Sequence, residues 1–397
     1  MAIDYRTELP ATADLVVIGG GIVGAATAFH AARAGLRPLV LERRPRLSTL
    51  TTAAAAGGFR LQVDDPEALR LVRESVELFL DFAEVTGQRE FDPRVRQQGY
   101  LWLSTSLEGA ERQCRLVEAQ RQWGLDDVEI LTGEAARSEF GYVAPEVVQA
   151  RFRRGDGLID PKSLALGLAA GSKAAVATGC EVTGFRVEGQ RLRGVETTRG
   201  LVSCESAVIA AGPFSALVAA LAGLRLPITT VQRQKLVMPD VPEVPPSAPM
   251  TIDDDTGAHW RPALGGAYLL FTDPSTPPSP PAEDLPITQG FAFDLLDPRS
   301  PVSVSRVAPF WGEVWDRGGG QWSIQAGQYT MTPDRRPLIG ETPIGGLFVN
   351  TGYCGHGVMQ SPAGSRRLVD VVTGAAEPDS PFRVDRPFDA RSHLDPL

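Results

Sequence analysis

Three glycines near the N-terminus have the spacing of a phosphate-binding turn. Gly19, Gly21 and Gly24 follow an apolar run at residues 15–18 and open an Ala-rich helical stretch at residues 22–34. In such a turn the first glycine allows a tight bend, the second lets backbone approach a pyrophosphate, and the third lets helix pack on strand. The free N–H groups and the dipole at the helix start attract negative charge. The segment therefore predicts a strand, a phosphate-binding turn and a helix.

Glu42 ends the next apolar run, residues 38–41, at the place where a carboxylate accepts hydrogen bonds from a ribose. Together with the glycine turn it predicts a βαβ unit that binds a dinucleotide. NAD and FAD share the adenosine and pyrophosphate half, so this motif does not distinguish them. A glycine turn without a ligand is the alternative, and the flanking strand and helix argue against it.

Two further stretches of small residues suit close backbone contact with a ligand. Residues 51–60, TTAAAAGGFR, end in two glycines and Arg60, and their backbone could lie against a flat ring. A flexible surface loop is the alternative. Residues 207–213, AVIAAGP, form an apolar strand ending in a glycine, where backbone could pass a phosphate or ribose. A simple strand end explains that pattern equally well.

A third glycine-rich stretch lies at residues 350–365, NTGYCGHGVMQSPAGS. Its glycines surround Cys354 and His356 and lead into the start of a helix. The dipole of that helix would stabilise negative charge on a reduced cofactor. An ordinary glycine-rich connection is the alternative.

The composition excludes several other classes of protein. The 397 residues are 43% apolar and 22% charged with a net charge of −9, which indicates two or three globular domains and argues against nucleic-acid binding. Because no run suits a signal peptide or membrane span, we expect a cytoplasmic protein. Four widely separated cysteines without a CxxC pair favour a reducing compartment and predict neither disulfides nor a metal site.

Periodicity suggests which elements position these segments. Helices are predicted at residues 66–84, 106–122 and 160–177, and strands at residues 182–187, 194–198 and 201–209. Two proline-rich stretches, residues 239–249 and 273–286, are predicted as surface loops that flank a β region at residues 251–271. Residues 346–372 repeat the strand, loop and helix order of the N-terminus, with the helix predicted at 361–372. The first domain is therefore expected to be discontinuous.

In their order along the chain these motifs resemble the family of FAD-dependent amine and amino-acid oxidoreductases that includes D-amino acid oxidase, glycine oxidase, sarcosine oxidase and dimethylglycine dehydrogenase. The resembling segments are GGGIVGAATA, LVLER, AAAAGGFR, DGLIDP, TGCEV, AVIAAGPFS, TGAHWRP, YTMTPDRRPLIG and NTGYCGHGVMQSPAGS. The resemblance implies an α/β fold with two domains. A discontinuous Rossmann-like FAD-binding domain would comprise residues 1–85, 145–225 and 325–397. An α+β substrate domain built on an antiparallel sheet would comprise residues 86–144 and 226–324.

The resemblance also implies where FAD is held. The glycine turn would hold the pyrophosphate, Glu42 and Arg43 the adenosine ribose region, the Val182 backbone the adenine, and residues 211–212 the ribityl side. Residues 55–60 would border the isoalloxazine ring, and residues 355–359 its pyrimidine edge. The expected FAD-binding residues are Gly19, Gly21, Ile22, Val23, Gly24, Glu42, Arg43, Arg44, Ala55, Ala56, Gly57, Gly58, Arg60, Val182, Ala211, Gly212, Gly352, Gly355, His356, Gly357, Val358 and Met359.

The chain departs from some relatives at positions that carry chemistry. Relatives that tether flavin covalently use a Cys or His where this chain has Gly327 or residues 53–56, so non-covalent FAD is expected. Cys354 is expected to be a small buried thiol, with an unusual thioether as the alternative. Two lysines of sarcosine oxidase, one holding substrate and one promoting reaction with oxygen, correspond to Met359 and, in a looser alignment, Tyr268.

These departures leave the electron acceptor open, oxygen or another, and favour Arg60 or Arg261 only weakly as the carboxylate anchor. The expected reaction is transfer of a hydride from the carbon next to nitrogen to flavin N5, which leaves an imine for hydrolysis. The amine must be neutral, so apolar walls or a nearby cation are expected.

Tyr268, Trp260 and Phe271 are candidate walls, although core packing explains any one of them as well. His259 and His356 are the candidates for proton handling, and His356 is favoured because it lies in the glycine loop. The expected catalytic residues are Arg60, His356, Tyr268 and His259.

The sequence thus supports an FAD-dependent oxidase or dehydrogenase of a small secondary amine or amino acid, of the sarcosine, glycine, proline or D-amino-acid type. A flavin- or nicotinamide-dependent dehydrogenase of a hydroxy acid or other alcohol is one alternative. A flavin-bearing subunit of a multi-subunit dehydrogenase is another. The oligomeric state is left open.

Overall fold

The computed structural model describes residues 2–376 and 379–388 of the chain. Residue 1, residues 377–378 and residues 389–397, which belong to the first and last segments of the expected FAD domain, lie outside the described residues. The described residues form an α/β fold with two large sheets, one mainly parallel and one mainly antiparallel, as expected, and two small sheets of three and two strands. No helix of the described residues is long and apolar enough to cross a membrane.

The strands are short and many of them are fully buried. In chain order they are β1 Asp4–Tyr5, β2 Leu15–Ile18, β3 Pro38–Glu42, β4 Gly58–Phe59, β5 Tyr100–Ser104, β6 Glu129–Thr132, β7 Gln149–Arg153, β8 Gly157–Leu158, β9 Ala175–Thr178, β10 Val182–Glu188, β11 Arg191–Thr197, β12 Gly200–Ser203, β13 Ala207–Ile209, β14 Thr229–Met238, β15 Met250–Asp253, β16 Ala258–Ala263, β17 Gly266–Phe271, β18 Ser323–Met331, β19 Leu338–Glu341 and β20 Leu347–Thr351.

The helices cover both sheets. In chain order they are α1 Ile22–Arg33, α2 Thr51–Ala54, α3 Pro66–Leu80, α4 Phe82–Thr86, α5 Leu107–Gln122, α6 Gly133–Glu139, α7 Pro161–Ser172, α8 Ser215–Ala220, α9 Gly290–Leu296, α10 Phe310–Asp316 and α11 Gly357–Val372. Short 3₁₀ turns occur at Gly212–Phe214 and Val304–Arg306.

The first sheet has the strand order β1-β9-β3-β2-β13-β20-β19 over the described residues and is parallel except for β19. Its central strands carry apolar side chains on both faces, because other elements of the fold pack against each face of the sheet. Leu15 and Val17 of β2 face the layer of α1, α7 and α11, whereas Val16 and Ile18 face the small sheet β10-β11-β12. A parallel strand buried in this way reads as a continuous apolar run, which is the pattern of residues 15–18.

The second sheet has the order β18-β14-β17-β16-β15-β5-β7-β6. It is antiparallel except where β15 lies parallel to β5. One face packs on α9 and α10 through a core that contains Trp260 and Trp311, both completely buried. The opposite face points toward the first sheet and forms the floor of a cavity.

Two strands of the second sheet come from segments that the sequence assigns at least in part to the dinucleotide domain. β7 lies within residues 145–225 and pairs with β5, and β18 extends into residues 325–397 and pairs with β14. The expected domain boundaries remain a prediction. Both segments lie near a crossing between domains, where local sequence does not show which sheet a strand joins.

Two helix boundaries also differ from expectation. The helix expected at residues 160–177 ends at Ser172, and Ala175–Thr178 is a strand of the first sheet. The last helix begins at Gly357 rather than at residue 361 and contains Pro362. A proline inside a helix lacks the N–H for a backbone hydrogen bond, so the sequence favours a helix that begins close to Pro362. In the structure Pro362 lies in the second turn of α11 instead.

Candidate active site

A cavity of about 670 Å³ lies between the carboxyl ends of the parallel strands and the open face of the second sheet. Open α/β sheets bind ligands at this edge. All the glycine-bearing segments singled out in the sequence meet here. The segments lining the cavity are residues 18–23, 41–44, 48–52, 54–58, 180–183, 210–214, 327–330 and 353–359.

The glycine turn is too tight for any side chain at two of its positions. Gly19 has φ of +115°, and a Cβ there would lie 2.5 Å from the Ala210 carbonyl oxygen. A Cβ on Gly24 would lie 1.8 Å from the Gly19 carbonyl oxygen, so Gly24 packs α1 against the turn and does not itself line the cavity. The Ile22 N–H donates to the Thr52 hydroxyl at 3.1 Å. Gly21, Ile22 and Val23 at the start of α1 line the cavity, where the positive end of the helix dipole would attract an anion.

Glu42 is fixed at the end of β3 by two backbone donors. Its carboxylate accepts hydrogen bonds from the Gly20 N–H and the Arg44 N–H, each 2.8 Å long. The carboxylate borders the cavity beside the glycine turn, as a ribose-binding acid must.

The two arginines after Glu42 are held by a loop of the second domain. Arg43 and Arg44 both form ion pairs with Glu283, which lies in the proline-rich stretch, and Arg43 also stacks on Phe214 at 3.8 Å. These contacts join the adenosine end of the cavity to the substrate domain. Val182, Ala211 and Gly212 also line the cavity, and Gly212 has φ of +52°.

Residues 51–60 are an ordered wall of the cavity and not a surface loop. They form the short helix α2 and strand β4, joined by Gly57 with φ of +71°. A Cβ on Gly57 would lie 2.2 Å from the Ile159 carbonyl oxygen, and one on Gly58 would lie 1.7 Å from the Tyr100 hydroxyl. Both positions therefore require glycine, and residues 54–58 line the cavity with nothing larger than a methyl group, which leaves room for a flat ring.

The C-terminal glycine loop borders the cavity from the opposite side. Gly355, with φ of +90°, would place a Cβ 2.3 Å from the Tyr329 ring, and the backbone of His356 caps the start of α11. The first turn of α11, residues 357–359, lines the cavity and directs its positive dipole end there. Gly352 lies behind this wall, with its Cβ position 2.7 Å from the Thr332 methyl group.

Arg60 is a buried cation in the middle of the cavity wall, only 3% exposed. Its Nη1 donates to the Gln62 carbonyl, and its Nη2 lies 3.4 Å from the His356 Nε2. The guanidinium also lies 5.1 Å above the Trp102 ring. The fixed guanidinium is suited to holding a carboxylate.

Asp156 positions the segment that carries Arg60. Its buried carboxylate accepts hydrogen bonds from the Leu61 N–H at 2.8 Å, the Gln62 Nε2 at 3.0 Å and the Arg153 Nη1 at 2.8 Å. Burial raises the pKa of Asp156 overall, although the Arg153 guanidinium and these donors act in the opposite direction.

His259 lines the cavity as a neutral hydrogen-bond acceptor. Its Nδ1–H donates to the Gly257 carbonyl at 2.8 Å, and burial lowers the pKa of its imidazole to about 4. Its Nε2 is therefore the atom that accepts hydrogen bonds at neutral pH.

Tyr268 does not line the cavity, because two cations cover its ring. The Lys235 Nζ lies 4.5 Å from the ring centroid and the Arg261 guanidinium lies 4.7 Å from it. Of the other candidate walls, Trp260 and Phe271 pack in the core on the far side of the sheet. Leu270, next to Phe271 on β17, lines the cavity instead.

The sequence reasoning missed Arg233, Lys235, Tyr100 and Tyr329, all of which line the cavity. The Lys235 Nζ donates to the Ala55 carbonyl at 3.1 Å, and burial together with the nearby Arg261 lowers the Lys235 pKa to about 8. The sequence contains a pattern that indicates this pair. Arg233 and Lys235 are two residues apart in the strand at residues 229–238, and this spacing places both side chains on the same face of the strand.

The residues present fit FAD. The Gly19 turn and the start of α1 would hold the pyrophosphate, Glu42 the ribose, and the side-chain-free walls at Gly57–Gly58 and Gly355 the ring system. A Cβ at four of these glycines, Gly19, Gly57, Gly58 and Gly355, would meet neighbouring atoms within 2.5 Å. These glycines thus allow the close packing of neighbouring segments that forms the cavity wall, and they present backbone where a flat cofactor needs close contact.

Comparison with known proteins agrees with this geometry. The family model described as DAO, FAD dependent oxidoreductase, matches residues 14–371. Mitochondrial sarcosine dehydrogenase of Mus musculus is 27% identical over 94% of this chain, which spans 41% of that relative. D-amino acid dehydrogenase of Cereibacter sphaeroides is 27% identical over 91% of this chain and 92% of its own length.

Among solved structures, L-proline dehydrogenase from P. horikoshii superimposes with a TM-score of 0.81 at 26% identity. The superposition covers 95% of this chain and 96% of that enzyme. The fold, the cavity and the match over nearly the whole sequence lead to one conclusion. The chain belongs to the DAO family of FAD-dependent oxidoreductases and is an enzyme.

Proposed function

We propose that this enzyme oxidises the C–N bond of a small secondary amine or amino acid. The observation that carries the proposal is the buried Arg60, which lies where the two glycine-containing walls of the cavity meet, at residues 55–58 and 355–359. A cation at that place would hold the carboxylate of an amino acid with its α-carbon beside the ring site. Amine and amino-acid dehydrogenases among the relatives support the substrate class.

FAD is proposed to bind without a covalent bond. Ala54 and Gly327 line the cavity at the places where some relatives carry the tethering residue, and neither has a nucleophilic side chain. The Cys354 thiol is buried and lies 3.3 Å from the Gly352 carbonyl oxygen, and burial raises its pKa. A protonated thiol is a poor nucleophile, so we assign Cys354 a packing role.

The bound flavin supplies the hydride acceptor, and the protein binds and orients the substrate. Arg60 holds the carboxylate, and the His259 Nε2 accepts a hydrogen bond from the amine N–H. The positive charges of Arg60, Arg233 and Lys235 disfavour an ammonium and so favour the neutral amine that can release hydride. Loss of a hydride from carbon would leave an iminium group, whose N–H proton passes to water. Water then hydrolyses the imine to a carbonyl compound and an amine or ammonia.

Anaerobic titration of the purified holoenzyme tests the proposal. N-methyl, cyclic and D-amino acids are added in turn, and bleaching of the oxidised flavin spectrum is recorded. Reduction by at least one of them with formation of the matching carbonyl product is expected. A flavin that is reduced by hydroxy acids or other alcohols and by none of the amines would contradict the proposal. Reoxidation with air or a quinone then identifies the acceptor.

The same preparation tests whether the chain acts alone. Continuous turnover by the isolated chain with an artificial acceptor is expected. If flavin reduction requires added protein from the source cells, the chain is instead a subunit of a larger dehydrogenase.

A further inference from the structure

Three basic side chains share one face of the second sheet. Arg233 and Lys235 are two residues apart on β14, and Arg261 is two residues beyond His259 on β16. Because side chains alternate along a strand, each pair points to the same side. Arg233, Lys235 and His259 all line the cavity, so this side is its floor.

Among the described residues no carboxylate lies within ion-pair distance of Arg233, Lys235 or Arg261, although Asp273 acts on Arg233 and Asp160 on Arg261 at longer range. The Nε atoms of both arginines are buried without a hydrogen-bond partner. Burial lowers the pKa of all three groups. Lys235 is only 3% exposed, and Arg233 and Arg261 are partly buried. Buried charges in proteins are normally paired, so this floor is suited to binding an anion.

Aromatic rings hold these cations in place where acids would otherwise do so. The Tyr268 ring contacts both Lys235 and Arg261, and the Arg233 guanidinium lies 5.7 Å from the Tyr329 ring centroid. Such contacts orient a cation without neutralising it. The acids that line the cavity, Glu42 and Glu181, belong to its dinucleotide end.

We propose that the substrate carries two carboxylate groups, one bound by Arg60 and the other by Arg233 and Lys235. The proposal rests on the proposed function and narrows its substrate class to small acidic amino acids and N-carboxyalkyl amines. Lys235 uses one of its three donors on the Ala55 carbonyl and retains two, and the Arg233 Nε donor is unused. A monocarboxylate would satisfy Arg60 and leave the floor without a counter-ion.

Matched substrates test the proposal on the holoenzyme. Anaerobic flavin reduction is compared for aspartate and asparagine and for glutamate and glutamine, in both enantiomers, and for N-carboxymethylglycine and N-methylglycine. The diacid of at least one pair should be about tenfold or more faster at low concentration, since charge-assisted hydrogen bonds are much stronger than neutral ones. Arg233→Gln and Lys235→Met should each reduce that ratio. Lys162→Met, on the exposed side of α7, should not change it.

Binding gives a second readout that needs no turnover. Calorimetric titration of the holoenzyme with succinate and glutarate should show dissociation constants about tenfold lower than those of acetate and butyrate. Arg233→Gln should remove this difference. Equal binding of mono- and dicarboxylates, together with equal rates for each diacid and its neutral partner, would overturn the proposal and leave amine oxidation intact. If dicarboxylates bind through Arg233 and no amine reduces the flavin, the proposed function fails and the two-anion site stands.

Discussion

The Arg60 Nη2 lies 3.4 Å from the His356 Nε2, although 296 residues separate them in the chain. A guanidinium has donors and no acceptor, so Nε2 accepts this hydrogen bond and Nδ1 carries the ring proton. The contact joins the two glycine-containing walls of the cavity. The main role of His356 is therefore to orient the Arg60 guanidinium. Any proton transfer by His356 would have to use its Nδ1 atom.

Replacing Arg60 should weaken the binding of carboxylate substrates. Arg60→Gln is expected to lower kcat/KM by about 10- to 100-fold for an amino acid, because a hydrogen bond to a charged group contributes about 1.5–3 kcal/mol. Steady-state kinetics with substrates that have and lack a carboxylate measures the effect. Arg186→Gln, an exposed arginine of β10, serves as control. An equal loss for both kinds of substrate would argue against a carboxylate contact.

A methyl group at Gly24 should disrupt the dinucleotide turn. Gly24→Ala places a carbon 1.8 Å from the Gly19 carbonyl oxygen, so the helix must move away from the strand. We expect loss of bound FAD and a free energy of unfolding lower by about 1–3 kcal/mol or more. The FAD-to-protein absorbance ratio and thermal unfolding measure both. Gly141→Ala, which meets nothing within 4 Å, should behave as wild type.

Acid should destabilise the protein through two buried histidines. Burial lowers the pKa of His30 and of His259 from 6.5 to about 4 in the folded state. The unfolded chain therefore binds more protons between these values, and the free energy of unfolding falls as the pH drops from 6.5 toward 4. Each histidine contributes at most about 1.4 kcal/mol per pH unit.

Urea unfolding at pH 7 and pH 5 measures this loss. His259→Gln should make the dependence on pH shallower, since one of the two groups is removed. A stability that is the same at both pH values would show that these imidazoles are not excluded from water.

Acid precipitation should release FAD into the supernatant. Neither Ala54 nor Gly327 can form a bond to the flavin, and the Cys354 thiol is buried against Gly352 and Thr332. Cys354→Ala should leave the released fraction unchanged. Yellow colour that stays with the precipitated wild-type chain and is lost in Cys354→Ala would establish a thioether instead.

The glycine turn and its strand and helix could be read from the sequence because their causes are local. Gly19 needs a positive φ, Gly24 needs a missing Cβ, and residues 15–18 are apolar on both faces. These requirements concern about ten consecutive residues, so the residue types and their spacing are enough to recognise them. The family resemblance then added the cofactor, since glycine-bearing segments far apart in the chain occur in the family's order.

The substrate end was decided by the tertiary structure. Trp260 and Arg261 are neighbours in the chain, yet the pleat of β16 buries Trp260 in the core and turns Arg261 toward the cavity floor. Lys235 meets Ala55 and Tyr268 only because strand register brings three distant segments together. Periodicity shows that a strand has two faces. Which face meets the cavity depends on packing against the other sheet, and no local pattern contains that information.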